Sequence, residues 1–160
     1  MELKFQVYAK IQRPVHDVFQ AVYDPKQLSE YFTTAGASGP LKEGTTVFWD
    51  FADFPGKFPV VVKKVIPNER IAFEWDAVEN DMPLDQVKQM PPSIGYKTAV
   101  EIIFEALDPN STLVRISESG WKETQNGLNS SYGNCQGWMN MACCLKAYVE
   151  YGINLRKGFF

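Results

Sequence analysis

Histidine is almost absent: His16 is the single one in 160 residues. A Ser-His-Asp or Cys-His catalytic arrangement could be built only around it, and no nucleophile points there. Helical phasing puts His16 beside Asp17, away from Val15, Val18 and Phe19, which is a surface position. Cysteine is nearly as scarce. Its three residues, Cys135, Cys143 and Cys144, all fall in the C-terminal segment. On a helix, Cys135 lies about 12 Å along the axis from Cys143, too far for a disulfide. Adjacent Cys143 and Cys144 would have to distort the helix to join, so reduced thiols in a cytoplasmic protein are expected. With thiols on one helix and the imidazole on another, no zinc ligand set forms, and neither a metal nor another cofactor is expected.

No stretch is rich in lysine or arginine, and the net charge is -3. Nucleic acid and anionic membrane surfaces are therefore poor partners. No apolar run approaches the roughly eighteen residues of a membrane span, and the first residues alternate polar with apolar rather than forming a leader's hydrophobic stretch. A phosphate loop is missing too: Gly36-Ala37-Ser38-Gly39 lacks the helix and lysine that should follow it.

Aromatic residues, by contrast, reach 14% and are spread along strand-like segments. Leu3, Phe5, Val7, Ala9 and Ile11 alternate with polar residues, as in a strand with one buried face. Pro14 suits the first turn of a short helix carrying Val15, Val18, Phe19 and Val22. Asp24-Pro25 opens a second short helix through about Phe32, and 33–40 reads as a loop. Three strands follow: 45–51, 57–66 and 70–75. The connectors 53–56 and 67–69 carry turn chemistry suited to hairpins. Residues 77–96 form a long excursion with three prolines, and long loops in compact domains often serve as contact surfaces. A hairpin, 97–107 and 112–119, turns about 108–111.

From Ser131 to Arg156 the apolar positions Cys135, Trp138, Ala142, Leu145, Val149 and Gly152 recur at helical spacing, flanked by Met141. Gln136, Asn140, Glu150 and Asn154 take the opposite, wet side. Such a helix would run about 39 Å. Gly137 and Gly152 are expected to let it approach the sheet closely, with Gly137 equally able just to help the helix bend. The fold expected is α+β in one domain, 1–160: a curved antiparallel sheet of about six strands gripping a long C-terminal helix, with two short helices after the first strand.

Several motifs are similar to those of a known family. They are the strand–proline–helix opening Ala9–Phe19, the strand end at Trp75, and Gly120-Trp121 ahead of Gly137-Trp138 and Leu145–Tyr148. Together they resemble the START-like, helix-grip superfamily, in the branch of the C-terminal domain of the heat-shock-protein ATPase activator. The resemblance implies a cavity between the concave sheet and the terminal helix that holds a small hydrophobic or amphipathic molecule. It equally implies a second reading, a co-chaperone-like module with a packed core and a chaperone partner.

The candidate ligand-binding residues are the inward aromatic and helix positions: Trp49, Phe51, Phe58, Phe73, Trp75, Phe104, Trp138, Met141 and Leu145. They could equally be plain core. Glu118 joins them: if Val114 and Ile116 face inward, alternation turns Glu118 inward as well. There it is either a solvated strand end, the plainer reading, or a carboxylate that orients a ligand and whose pKa burial raises. An enzyme using Glu118 as acid or base is a third reading, though no catalytic arrangement is signalled. A homodimer is also in view, because hairpin sheets leave edges that need covering.

Overall fold

The computed structural model describes residues 1–79 and 95–160. In chain order the elements are β1 (Leu3–Ile11), α1 (Val15–Tyr23), α2 (Pro25–Ser29), β2 (Gly36–Ala37), β3 (Thr46–Phe51), β4 (Phe54–Ile66), β5 (Arg70–Asp76), β6 (Lys97–Asp108), β7 (Ser111–Trp121) and α3 (Gln125–Tyr151). Among the described residues the strands form one antiparallel sheet of seven, ordered β1-β7-β6-β5-β4-β3-β2. The long helix α3 packs against β1 and β7, and α1 bridges α3 and the β6–β7 hairpin.

Alternation sets the inner face. On β7, Thr112, Val114, Ile116 and Glu118 are buried while the residues between them are less so. Opposite, β6 turns in Thr98, Val100, Ile102 and Phe104, with Ile102 paired to Ile116. These rows, the inward residues of β3–β5 and the buried side of α3 form one core. Proline and aspartate punctuate the short helices as the sequence suggests. Asp24 ends α1 and caps α2, its carboxylate accepting from the Lys26 amide at 3.1 Å.

Five details differ from the sequence expectation. The extra strand is β2, two residues inside what reads as a loop, paired through Gly36 to Asp50 and Ala37 to Trp49. Two residues cannot show an alternation, and Gly36 enters with φ of 123°, a conformation that favours glycine. The β3–β4 turn is tighter than expected, so that Pro55 and Gly56 belong to β4.

The helix starts six residues before Ser131 and stops five before Arg156. Thr124 caps it, accepting from the Gly127 amide at 3.1 Å, and Gly152, with φ of 67°, ends it in a left-handed turn. Gly152 is thus an exposed terminator rather than a contact with the sheet, and at Gly137 a Cβ would meet open space. Asn140, expected on the wet side, is buried, where its Oδ1 accepts from the Cys144 thiol at 3.6 Å.

The glycine that does need its missing side chain is Gly127. A Cβ there would lie 2.1 Å from the backbone oxygen of Lys122. Gly127→Ala is expected to open the capped first turn and cost about 1–3 kcal/mol, read as a lower urea midpoint than for the native chain.

Candidate ligand site around Glu118

Glu118 ends the inner row of β7 and is 1% exposed. Three elements deliver donors to it. From β5, the Trp75 indole N–H donates to Oε1 at 2.8 Å. From β6, the Thr98 hydroxyl donates to the same oxygen at 2.6 Å. From α3, the Asn134 amide lies 3.1 Å from both oxygens, and Trp138, one helical turn on, donates to Oε2 at 2.7 Å. Every partner is neutral. Burial pushes the Glu118 carboxyl above its ordinary value, and the bonds from Thr98, Trp75, Trp138 and Asn134 pull part of the way back.

That direction fixes a pH dependence. Between 4.5, the ordinary value, and its higher folded value, Glu118 keeps a proton in the folded state that the unfolded chain has released. Stability therefore falls as pH rises through that window. The expected result is a higher urea midpoint at about pH 5 than at about pH 8, with this component missing in Glu118→Gln.

Around the carboxylate the aromatic rings touch one another. Trp138 lies 5.4 Å from Trp75, 5.7 Å from Phe32 and 6.2 Å from Phe73, centroid to centroid. Trp49 packs edge-on against Phe73 at 5.2 Å and Trp75 at 5.9 Å. Phe58 joins through Phe51 at 5.4 Å and Trp75 at 6.3 Å. Trp75 alone among these tryptophans is half-buried, while Trp49 and Trp138 are closed off.

Seven of the ten expected site residues thus meet: Trp49, Phe51, Phe58, Phe73, Trp75, Glu118 and Trp138. Phe104 stands apart, packed on Phe19 at 5.3 Å. Met141 and Leu145 are buried in the same core. Sequence reasoning missed Phe32, Thr98 and Asn134. Thr98 had a signal, since alternation along β6 turns it inward with Val100. Asn134 lies four residues before Trp138 and so on the same helix face. Phe32 carried none, because it lies in the turn after α2, outside any periodic element.

A second polar group closes the far side of the rings. Arg156, past the end of α3, pairs with Asp53 in the β3–β4 turn through Nε at 2.8 Å and Nη2 at 2.9 Å. Its guanidinium lies 5.0 Å from the Phe51 ring and 5.4 Å from Phe32. Nearby Cys144 is buried, and burial lifts its thiol to about 11, which makes it inert.

Among the described residues, two hollows lie outside this cluster. One, of 640 Å³, opens between Arg13, His16, Tyr148 and Glu150; His16 is exposed there, as expected. The other, of 340 Å³, lies on the outer sheet face between Lys63, Arg70, Glu101 and Ser117. No group of three or more His, Cys, Asp or Glu among the described residues could hold a metal. Most of the 77–96 excursion lies outside the described residues. Its flanks are tied down: Val78 accepts from the Ser130 hydroxyl at 2.6 Å, and Tyr96 bonds to Glu79.

A family profile described as activator of Hsp90 ATPase homolog 1-like protein matches residues 12–150. The chain belongs to this family. Comparison with curated proteins finds no significant match. Among solved structures, the Aha1 dimer from Colwellia psychrerythraea is similar at 23% identity and TM-score 0.69, with 93% of this chain and 97% of that one covered. SSP2350 from Staphylococcus saprophyticus is similar at 22% and 0.72, covering 98% and 96%. DynU16, from the dynemicin biosynthetic locus, is similar at 22% and 0.74; the match takes in 96% of this chain but only 49% of DynU16. These likenesses share the fold described above, a curved antiparallel sheet gripping a long C-terminal helix. No helix among the described residues is long and apolar enough to cross a membrane.

Proposed function

We propose that the chain binds one small, largely apolar molecule between the sheet and α3, against Trp75, Trp138 and Glu118. The observation that carries this reading is the buried carboxylate itself. Apolar side chains could fill this space without the cost of burying a carboxyl group, so packing alone does not account for Glu118 and the four donor groups gathered on it. A perturbed carboxylate amid aromatic rings is what a recognition site has. Half-buried Trp75 is the one tryptophan of the cluster that reaches solvent. Glu118 is poorly placed as an acid or base, because four donor groups already occupy its two oxygens through five contacts.

The test uses full-length chain extracted to remove resident lipid and titrated with the uncharged fluorophore N-phenyl-1-naphthylamine. Saturable one-to-one binding is expected, weakened roughly tenfold in Trp75→Ala. No saturable binding would end this reading.

The mutual contact of the rings favours a second reading, the co-chaperone-like module with a packed core, in keeping with the family. Its signature would be a stoichiometric complex with a chaperone ATPase from a protein that takes up no fluorophore. Self-association through the edge of β1, where Tyr8 is exposed, would be read as a dimer in native mass spectrometry. The Colwellia Aha1 was solved as a dimer, and the β1 edge is where we place any pairing of this chain.

A further inference from the structure

The ring cluster holds one polar valence that the protein does not use. Trp49 is 1% exposed, and its indole N–H has no hydrogen-bond partner among the described residues. A buried donor left unpaired costs free energy, and this one belongs to a ring that touches Trp75, the half-buried wall of the proposed site. The second observation is charge. Among the described residues the buried charged side chains are Glu118 and Arg156. Arg156 is committed to Asp53 by two contacts, while Glu118 faces only neutral donors. The interior therefore offers a spare donor and a carboxylate, and no spare cation.

We infer that the interior ligand is uncharged and carries an acceptor oxygen such as a ketone or ether, bonded by the Trp49 N–H, in an interior that offers a carboxylate no free cation. This rests on the binding reading above and adds the ligand's chemical class. A neutral acceptor fills the empty valence of Trp49. A carboxylate ligand would lose its hydration and gain no ion pair, because Glu118 in either protonation state brings no positive charge. Fatty acids and other anionic amphiphiles are thereby rejected, although their apolar tails would suit the rings.

Three probes of one shape test this with the full-length, extracted chain: 2-acetylnaphthalene, 2-ethylnaphthalene and 2-naphthoate. In the native protein the ketone is expected to bind at least about a hundredfold more tightly than the carboxylate at neutral pH. Trp49→Phe keeps a ring but removes the N–H. It is expected to weaken the ketone about fivefold relative to the ethyl compound, as one neutral hydrogen bond requires. Independently of any refolding in the variant, the Trp49 indole proton resonance of the native chain should move downfield with the ketone and not with the ethyl compound.

Naphthoate binding as well as the ketone would overturn the inference, as would an indole proton that responds alike to ketone and hydrocarbon; in both cases the binding reading stands. If none of the three binds, both fail together.

Discussion

Glu118→Leu is expected to lower the unfolding free energy by about 2–4 kcal/mol. Leucine fits the volume and removes the cost of burying a charge. It also strands two indole N–H groups, an amide and a hydroxyl that now converge on the carboxylate. An unsatisfied buried donor costs about 1–3 kcal/mol. Asn134 is half-buried and recovers water, and the Thr98 hydroxyl can rotate, so the loss is concentrated at Trp138 and Trp75. Glu118→Gln keeps one acceptor oxygen but sets its amide against donors, and the loss should be smaller, about 1–2 kcal/mol. Urea unfolding followed by circular dichroism reads both. A leucine variant more stable than the native chain would show that the donors do not depend on the carboxylate.

Trp138→Ala carries the other large effect, about 3–5 kcal/mol. The side chain is 2% exposed and touches Phe32, Phe73 and Trp75, so truncation opens a cavity that edge-on rings cannot easily collapse. It also removes the donor to Oε2. The adjacent Met139 is 40% exposed, and Met139→Ala should stay within about 0.5 kcal/mol of the native chain. Because Trp138 and Glu118 share a hydrogen bond, their effects should not add. The double variant with Glu118→Leu is expected to fall short of the sum by about 1–2 kcal/mol. Strict additivity in a double-mutant cycle would argue that α3 is held to the sheet without the carboxylate.

Much of this arrangement was legible in the residues. Alternation on β7 turned Glu118 inward with Val114 and Ile116, and the same rule collected Trp49, Phe58, Phe73 and Trp75 on one face. Helical spacing found the Trp138 side of α3. Alternation reports a face, however, and not a depth. Whether Glu118 sits in water or in the core depends on α3 closing over it, through contacts 16 and 20 residues away in sequence. The plainer reading of a solvated strand end fails for that reason.

Phe104 failed differently. It faces inward as expected, but α1 meets it there, so Phe19 and not the ring cluster is its neighbour. Asn140 broke the polar-outside rule because Cys144 satisfies its oxygen within the core. The ends of α3 were misplaced because Thr124 and Gly152 set them, Thr124 lying outside the apolar stripe and Gly152 reading as one more position within it. They act through caps, which a pattern of buried positions does not register.

The central claim, an interior that takes up one uncharged small molecule, is tested most directly by native mass spectrometry of freshly purified full-length chain. Denaturing extraction of whatever travels with it completes the measurement. The account predicts either a stoichiometric adduct whose extract is neutral and bears a carbonyl or ether oxygen, or a bare chain that takes up 2-acetylnaphthalene one-to-one. A bare mass that stays bare with that ketone and with N-phenyl-1-naphthylamine would contradict it.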